Sequence, residues 1–158
     1  MLHIVLLEPE IPQNAGNIVR TAAATGSLLH LVEPLGFSLD EKHLKRAGLD
    51  YWDKARIVIH KNVEAFISSI EGGRVFFFSS KGHRRYDEVS YQDGDYLVFG
   101  KESVGIDETL LKEHEGNVLR IPMLEGIRCL NLSNAVALVV YEALRQNGFP
   151  GFRMEGTL

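Results

Sequence analysis

Six short apolar runs constrain this sequence more than any other feature: residues 3–7, 28–32, 56–59, 74–78, 96–99 and 118–121. They are largely continuous Val, Ile, Leu and Phe rather than an alternation of apolar and polar residues. That is the pattern of strands covered on both faces in a parallel sheet. Helical periodicity fills the intervals and predicts helices over 17–24, 41–47, 63–70, 108–113 and 132–146. Asp40, Asn62 and Asp107 stand at N-cap positions, and Gly48 and Gly148 stand where helices should stop. The expected fold class is α/β, a mostly parallel sheet with helices on both faces.

Length and composition narrow the functional classes. The chain has 158 residues, the length of one domain, and no repeat, low-complexity tract or linker divides it. One domain over 1–158 is expected, with an irregular Gly/Pro-rich tail from 147. Lys plus Arg number 17 against 21 Asp plus Glu, a net charge of −4. That balance excludes a uniformly basic nucleic-acid binder and leaves room for a local basic patch. The single cysteine, Cys129, forms no internal disulfide, so a reducing, cytoplasmic setting is expected. The longest uninterrupted apolar run, 135–141, falls far below the roughly 18 residues of a membrane span. The N-terminus carries no basic stretch of the signal-peptide kind, so no membrane partner is expected.

Several familiar motifs fail. Gly100-Lys101 follows a strand, but Glu102 stands where a phosphate-binding loop needs Ser or Thr. There is no Gly-x-Gly-x-x-Gly. The six histidines are scattered without ligand spacing, so no metal is expected.

Three segments carry chemistry. The first, Glu8-Pro-Glu-Ile-Pro-Gln-Asn14-Ala-Gly16-Asn17-Ile-Val-Arg20, joins the first strand to the first helix. Its asparagines either cap that helix or offer amides to a polar ligand, with Arg20 on the face of Asn17. The second, Gly100-Lys-Glu102-Ser-Val-Gly105, lies at the carboxyl edge of a strand, where ligands collect in open α/β sheets. Glu102 there either receives hydroxyl or amino donors or caps a helix. The third runs from Arg120 through Cys129, Leu130 and Asn131 to Ala135. It is an apolar, non-helical loop suited to wrapping a flat ring, with Asn131 and Ser133 as caps of the long helix. On that helix Asn134, Leu138, Tyr141 and Arg145 share a face.

These segments resemble the three signature motifs of the SPOUT superfamily of S-adenosylmethionine-dependent RNA methyltransferases. Asn14-x-Gly16-Asn17-x-x-Arg20, Leu44-Lys-Arg-Ala-Gly-Leu-Asp-Tyr-Trp52, Tyr91-Gln-Asp-Gly-Asp-Tyr96 and Leu130-Asn-Leu-Ser-Asn134 are similar, more closely, to the tRNA wobble-position (cytidine/uridine) 2′-O-methyltransferases. The resemblance implies a trefoil knot near the C-terminus, over about 76–146, and a homodimer acting on tRNA. It implies that S-adenosylmethionine is bound by Phe78, Ser79, Gly100, Glu102, Ile121, Met123, Cys129, Leu130 and Ser133. Arg20, Tyr141 and Asn14 would take catalytic places, and Asn17, Lys45, Arg46, Lys81, Arg84 and Arg85 would meet RNA. The sequence departs from the family at Cys129, commonly serine, and at Lys101, frequently proline. Two other readings stand beside this one: ribose methylation of ribosomal RNA or of another tRNA position, and a non-catalytic module that binds cofactor or RNA.

Overall fold

In the computed structural model residues 1–40 and 51–158 are described. Seven strands form one sheet in which every pairing between strands is parallel. In chain order they are β1 (His3–Leu7), β2 (Leu28–Val32), β3 (Arg56–His60), β4 (Val75–Phe78), β5 (Arg84–Arg85), β6 (Tyr96–Phe99) and β7 (Val118–Arg120). Across the sheet the order is β3-β2-β1-β6-β4-β7-β5. Among the described residues four α-helices accompany them: α1 (Pro12–Thr25), α2 (Val63–Ser69), α3 (Glu108–Glu113) and α4 (Leu132–Gln146). The predicted helix over 41–47, with its boundaries at Asp40 and Gly48, lies largely outside the described residues.

Alternation along each strand divides the core in two. Ile4, Leu6, Leu29, Leu31, Phe76, Phe78, Leu97, Phe99 and Leu119 bury one face against the apolar sides of α1 and α4. Val5, Leu7, Val32, Phe77, Tyr96, Val98 and Val118 bury the other against Phe66 of α2, Leu111 of α3 and Ile106 in the loop before α3. Both faces are covered over the central strands, which is why these read as unbroken apolar runs, whereas Val58 and Ile59 of the edge strand β3 remain exposed. No helix among the described residues is long and apolar enough to cross a membrane.

Two local expectations are corrected. The first helix begins at Pro12 rather than at 17, and neither Asn14 nor Asn17 caps it. Ile11 is its N-cap, without a side-chain cap bond, and Pro12 opens it because the first turn has no need of that N–H. The short strand β5 was not foreshadowed, since Arg84 and Arg85 carry no apolar signal. It forms only because Arg84 and Arg85 align with Leu119 and Arg120 of β7 at the sheet edge. The Asn62 cap is as expected, its Oδ1 accepting the Ala65 N–H at 2.7 Å.

The segment 91–96 has a structural explanation. Asp95, 2% exposed, receives two guanidinium bonds from Arg74, at 3.0 and 2.7 Å, and the Gln92 N–H at 2.7 Å. A buried carboxylate satisfied in this way fixes the entry into β6.

Candidate active site

Parallel strands present their carboxyl ends along one edge, and an open α/β sheet collects ligands there. At that edge lies a cavity of about 800 Å³. It draws on the exits of β4 (Phe78, Ser79, Lys81), β6 (Phe99, Gly100, Glu102) and β7 (Ile121, Met123), and on Asn14 of α1. The loop into α4 closes it with Arg128, Cys129, Leu130 and Asn131. Apolar walls with a few convergent polar groups suit a small organic ligand.

Asn131 organises the inner end. Its Oδ1 accepts the backbone N–H of Ser133 at 2.9 Å and of Asn134 at 3.3 Å, which caps α4. Its Nδ2 donates to Asn14 Oδ1 at 3.1 Å. Asn14 is 6% exposed, and its own amide Nδ2 has no acceptor among the described residues. A buried N–H₂ without a partner on a cavity wall is a donor for a ligand oxygen.

Glu102 does not cap the helix that follows it in sequence. Its two oxygens accept the backbone N–H of Glu10 at 3.0 Å and of Ile11 at 2.5 Å, just before α1. The carboxylate thus satisfies donors that no side chain of the first helix reaches, at the end where the helix dipole favours negative charge. In return Glu10 Oε1 accepts the Ser103 hydroxyl at 2.6 Å and the Ser103 N–H at 2.9 Å. These bonds hold the Glu10 carboxyl below the usual carboxylate range, the hydroxyl bond contributing most.

Of the residues expected around a cofactor, Phe78, Ser79, Gly100, Glu102, Ile121, Met123, Cys129 and Leu130 all line this cavity. Ser133 does not, because its hydroxyl turns back to Asn131 Oδ1 at 2.6 Å. Asn14 reaches the wall, whereas Arg20 and Tyr141 stand away from it. Arg20 is exposed on α1, its guanidinium 4.6 Å from the centre of the Tyr51 ring. Tyr141, 43% exposed, leans toward Phe149 of the C-terminal tail with ring centres 6.3 Å apart. Asn17 is exposed on the same helix face as Arg20. Lys81 lies on the rim, while Arg84 and Arg85 form the edge strand. Lys45 and Arg46 lie outside the described residues.

Sequence reasoning missed Glu10 and Ser103, which carry no motif of their own, and read Asn131 only as a cap. Among the described residues no group of three or more His, Cys, Asp or Glu is placed to hold a metal ion.

A parallel α/β sheet whose carboxyl edge is walled by three separate loops, one feeding a long C-terminal helix, defines the class. The chain belongs to the SpoU rRNA Methylase family, whose profile matches residues 1–141. The tRNA (cytidine(34)-2′-O)-methyltransferase of Saccharophagus degradans is 53% identical over 152 residues, covering 96% of this chain and 99% of that protein. A solved structure described as giving insights into the 2-OH methylation of C/U34 on tRNA superposes with a TM-score of 0.91. It is 49% identical and spans 94% of this chain and 97% of its own. The AdoMet-bound rRNA methyltransferase of Sinorhizobium meliloti is 26% identical with a TM-score of 0.82, covering 91% of this chain and 56% of that one.

Proposed function

We propose that this protein transfers a methyl group from S-adenosylmethionine to the ribose 2′-oxygen of nucleotide 34, the wobble position, in tRNA. The observation that carries the reading is the meeting of three sequence-distant segments, around Asn14, Gly100 and Cys129, on one cavity. The near-full-length relatives named for this reaction support the same substrate.

The cavity fits the cofactor. Apolar side chains of Phe99, Ile121, Leu130 and Ala135 suit a flat adenine, and the unpartnered Asn14 amide suits a ligand oxygen. When bound, S-adenosylmethionine supplies an electrophilic methyl group on a sulfonium. Transfer then asks the protein to hold the 2′-oxygen in line, at about 3–3.5 Å from that carbon, and to accept the hydroxyl proton. Arginine stays protonated at neutral pH and so is no general base. Arg20 therefore serves as a bidentate clamp on phosphate and 2′-oxygen, and a substrate phosphate assists in removing the proton.

Arg20 stands outside its own chain's cavity, and this supports action as a homodimer. Gln13, Asn17, Arg20 and Ala24 are exposed along α1, and Asn134, Leu138, Tyr141 and Arg145 along α4, which packs beside it. A second copy on this face buries Leu138 and Tyr141 and brings Arg20 toward a partner's site. In this reading the chain is one domain, knotted over about 76–146, and works in the cytoplasm.

The test uses purified protein, methyl-labelled S-adenosylmethionine and tRNA lacking modification at position 34, with nuclease digestion and mass spectrometry. Label on the ribose of nucleotide 34 is the expected result. Label on another nucleotide or on ribosomal RNA would overturn the substrate, and absence of transfer despite cofactor binding would overturn catalysis.

A further inference from the structure

Two stretches of chain more than ninety residues apart are fastened together on the rim of the cavity. Lys101 Nζ reaches Glu8 Oε2 at 3.2 Å, while Glu102 receives the Glu10 and Ile11 N–H groups. Ser103 donates both its hydroxyl and its N–H to Glu10 Oε1, at 2.6 and 2.9 Å. Lys101, Glu102, Ser103 and Val104 all line the cavity, yet Val104 is 75% exposed and lends the turn little packing. Within itself the turn is closed by an antiparallel bridge between Lys101 and Gly105, in which the Gly105 N–H donates to Lys101 O at 2.9 Å. The side-chain bonds to the 8–11 segment fasten this closed turn to the chain behind it.

That segment is firmly seated. Gly36 N–H donates to Pro9 O at 2.9 Å, and a Cβ on Gly36 would come within 2.7 Å of Glu10 Cα. Glu10 is thus fixed from behind and bonded in front, and it does not itself line the cavity.

We propose that Glu10 is a positioning residue for the cofactor: through Ser103 it holds the 101–104 turn where that turn forms the cavity wall. This inference rests on the cofactor assignment made above. Its consequence is a division of labour on the rim, in which Glu10 governs how tightly the cofactor is held and not how fast the methyl group moves. A glutamate carboxyl is ionised at neutral pH and the bonds from Ser103 lower its pKa further, so the fastening is charge-assisted.

The test compares the full-length wild type with Glu10→Ala, Glu10→Gln, Ser103→Ala and the double alanine variant. Calorimetry gives the Kd for S-adenosylhomocysteine, and tRNA methylation gives kcat and the KM for S-adenosylmethionine. Glu10→Ala should raise Kd and KM about ten-fold with kcat within about two-fold, since binding is lost without a transition-state interaction. Glu10→Gln keeps an oxygen acceptor and should stay within about three-fold of the wild type. The double variant should bind no more weakly than Glu10→Ala, because the hydroxyl bond that Ser103→Ala removes is already lost with the Glu10 carboxylate. Thermal unfolding midpoints confirm that each variant is folded. If Glu10→Ala fails to fold, Ser103→Ala and Glu10→Gln make the same comparison. An unchanged Kd, an additive double variant, or a fall in kcat alone would overturn the positioning role while leaving the cofactor assignment intact. A wild type that binds no S-adenosylhomocysteine would overturn both.

Discussion

The amide of Asn131 donates to the carboxamide oxygen of Asn14 at 3.1 Å, joining residues 117 positions apart at the floor of the cavity. One side chain thereby caps α4 and orients the only contribution of α1 to the described cavity wall below its rim. Asn131→Ala should cost about 1 kcal/mol from the lost cap, lowering the unfolding midpoint by about 2–4 °C in a domain of this size. The same change should weaken S-adenosylhomocysteine binding by more than ten-fold, because Asn14 loses the bond that aims its free N–H₂. A calorimetric titration beside a melting curve separates the two effects.

Three histidines cross the far face of the sheet in a hydrogen-bonded row. His3 Nδ1 lies 2.9 Å from His30 Nε2, and His30 Nδ1 lies 2.8 Å from His60 Nε2. Burial first, and then the charges of His3 and His60, pull the His30 pKa down to about 4 from 6.5. Unfolded His30 binds its proton below about pH 6.5, whereas folded His30 resists until about 4. The contribution to stability is therefore complete above pH 6.5 and is lost as pH falls toward 4, by linkage on the order of 3 kcal/mol. NMR titration of the His30 ring should show no protonation above about pH 5. A midpoint near 6.5 would remove this explanation of acid sensitivity.

Arg20 meets solvent on α1 and stacks on Tyr51, so its replacement should leave the fold alone. Arg20→Lys keeps the charge and loses the planar two-pronged donor. A fall in kcat/KM of about a hundred-fold, with an unchanged melting temperature and unchanged S-adenosylhomocysteine affinity, is the expected result. Near-normal turnover would exclude the clamp.

The two arginines of β5 should behave differently. Arg85 is held by Asp87 at 2.9 Å and lies 3.8 Å from Glu88, whereas Arg84 has no ion pair among the described residues. Arg84→Ala should weaken tRNA binding and reduce the slope of log K against log salt by about one unit. Arg85→Ala should change that slope by less than half as much, since its charge is already compensated locally. Equal effects would mean that Asp87 and Glu88 release Arg85 when RNA binds.

The sequence by itself determined the sheet. Its unbroken apolar runs indicated a sheet covered on both faces, and all six predicted strands fall within one residue of the observed bounds at each end, the runs at 3–7, 28–32 and 96–99 matching outright. The family resemblance implied that Phe78, Gly100, Ile121, Met123 and Cys129 surround one cofactor, and all five line the cavity at the carboxyl edge of the sheet. Tertiary structure alone decided how α1 begins. No residue near Pro12 shows that its terminal donors are received by Glu102, 91 residues downstream from Ile11. It alone turned Ser133 away from the cavity, joined Glu10 to Ser103 and added β5 to the sheet edge. Hydrophobic periodicity records which face of an element is buried. A hydrogen bond between distant loops leaves no period in the sequence, since it depends on two backbone paths meeting and not on the pattern along either one.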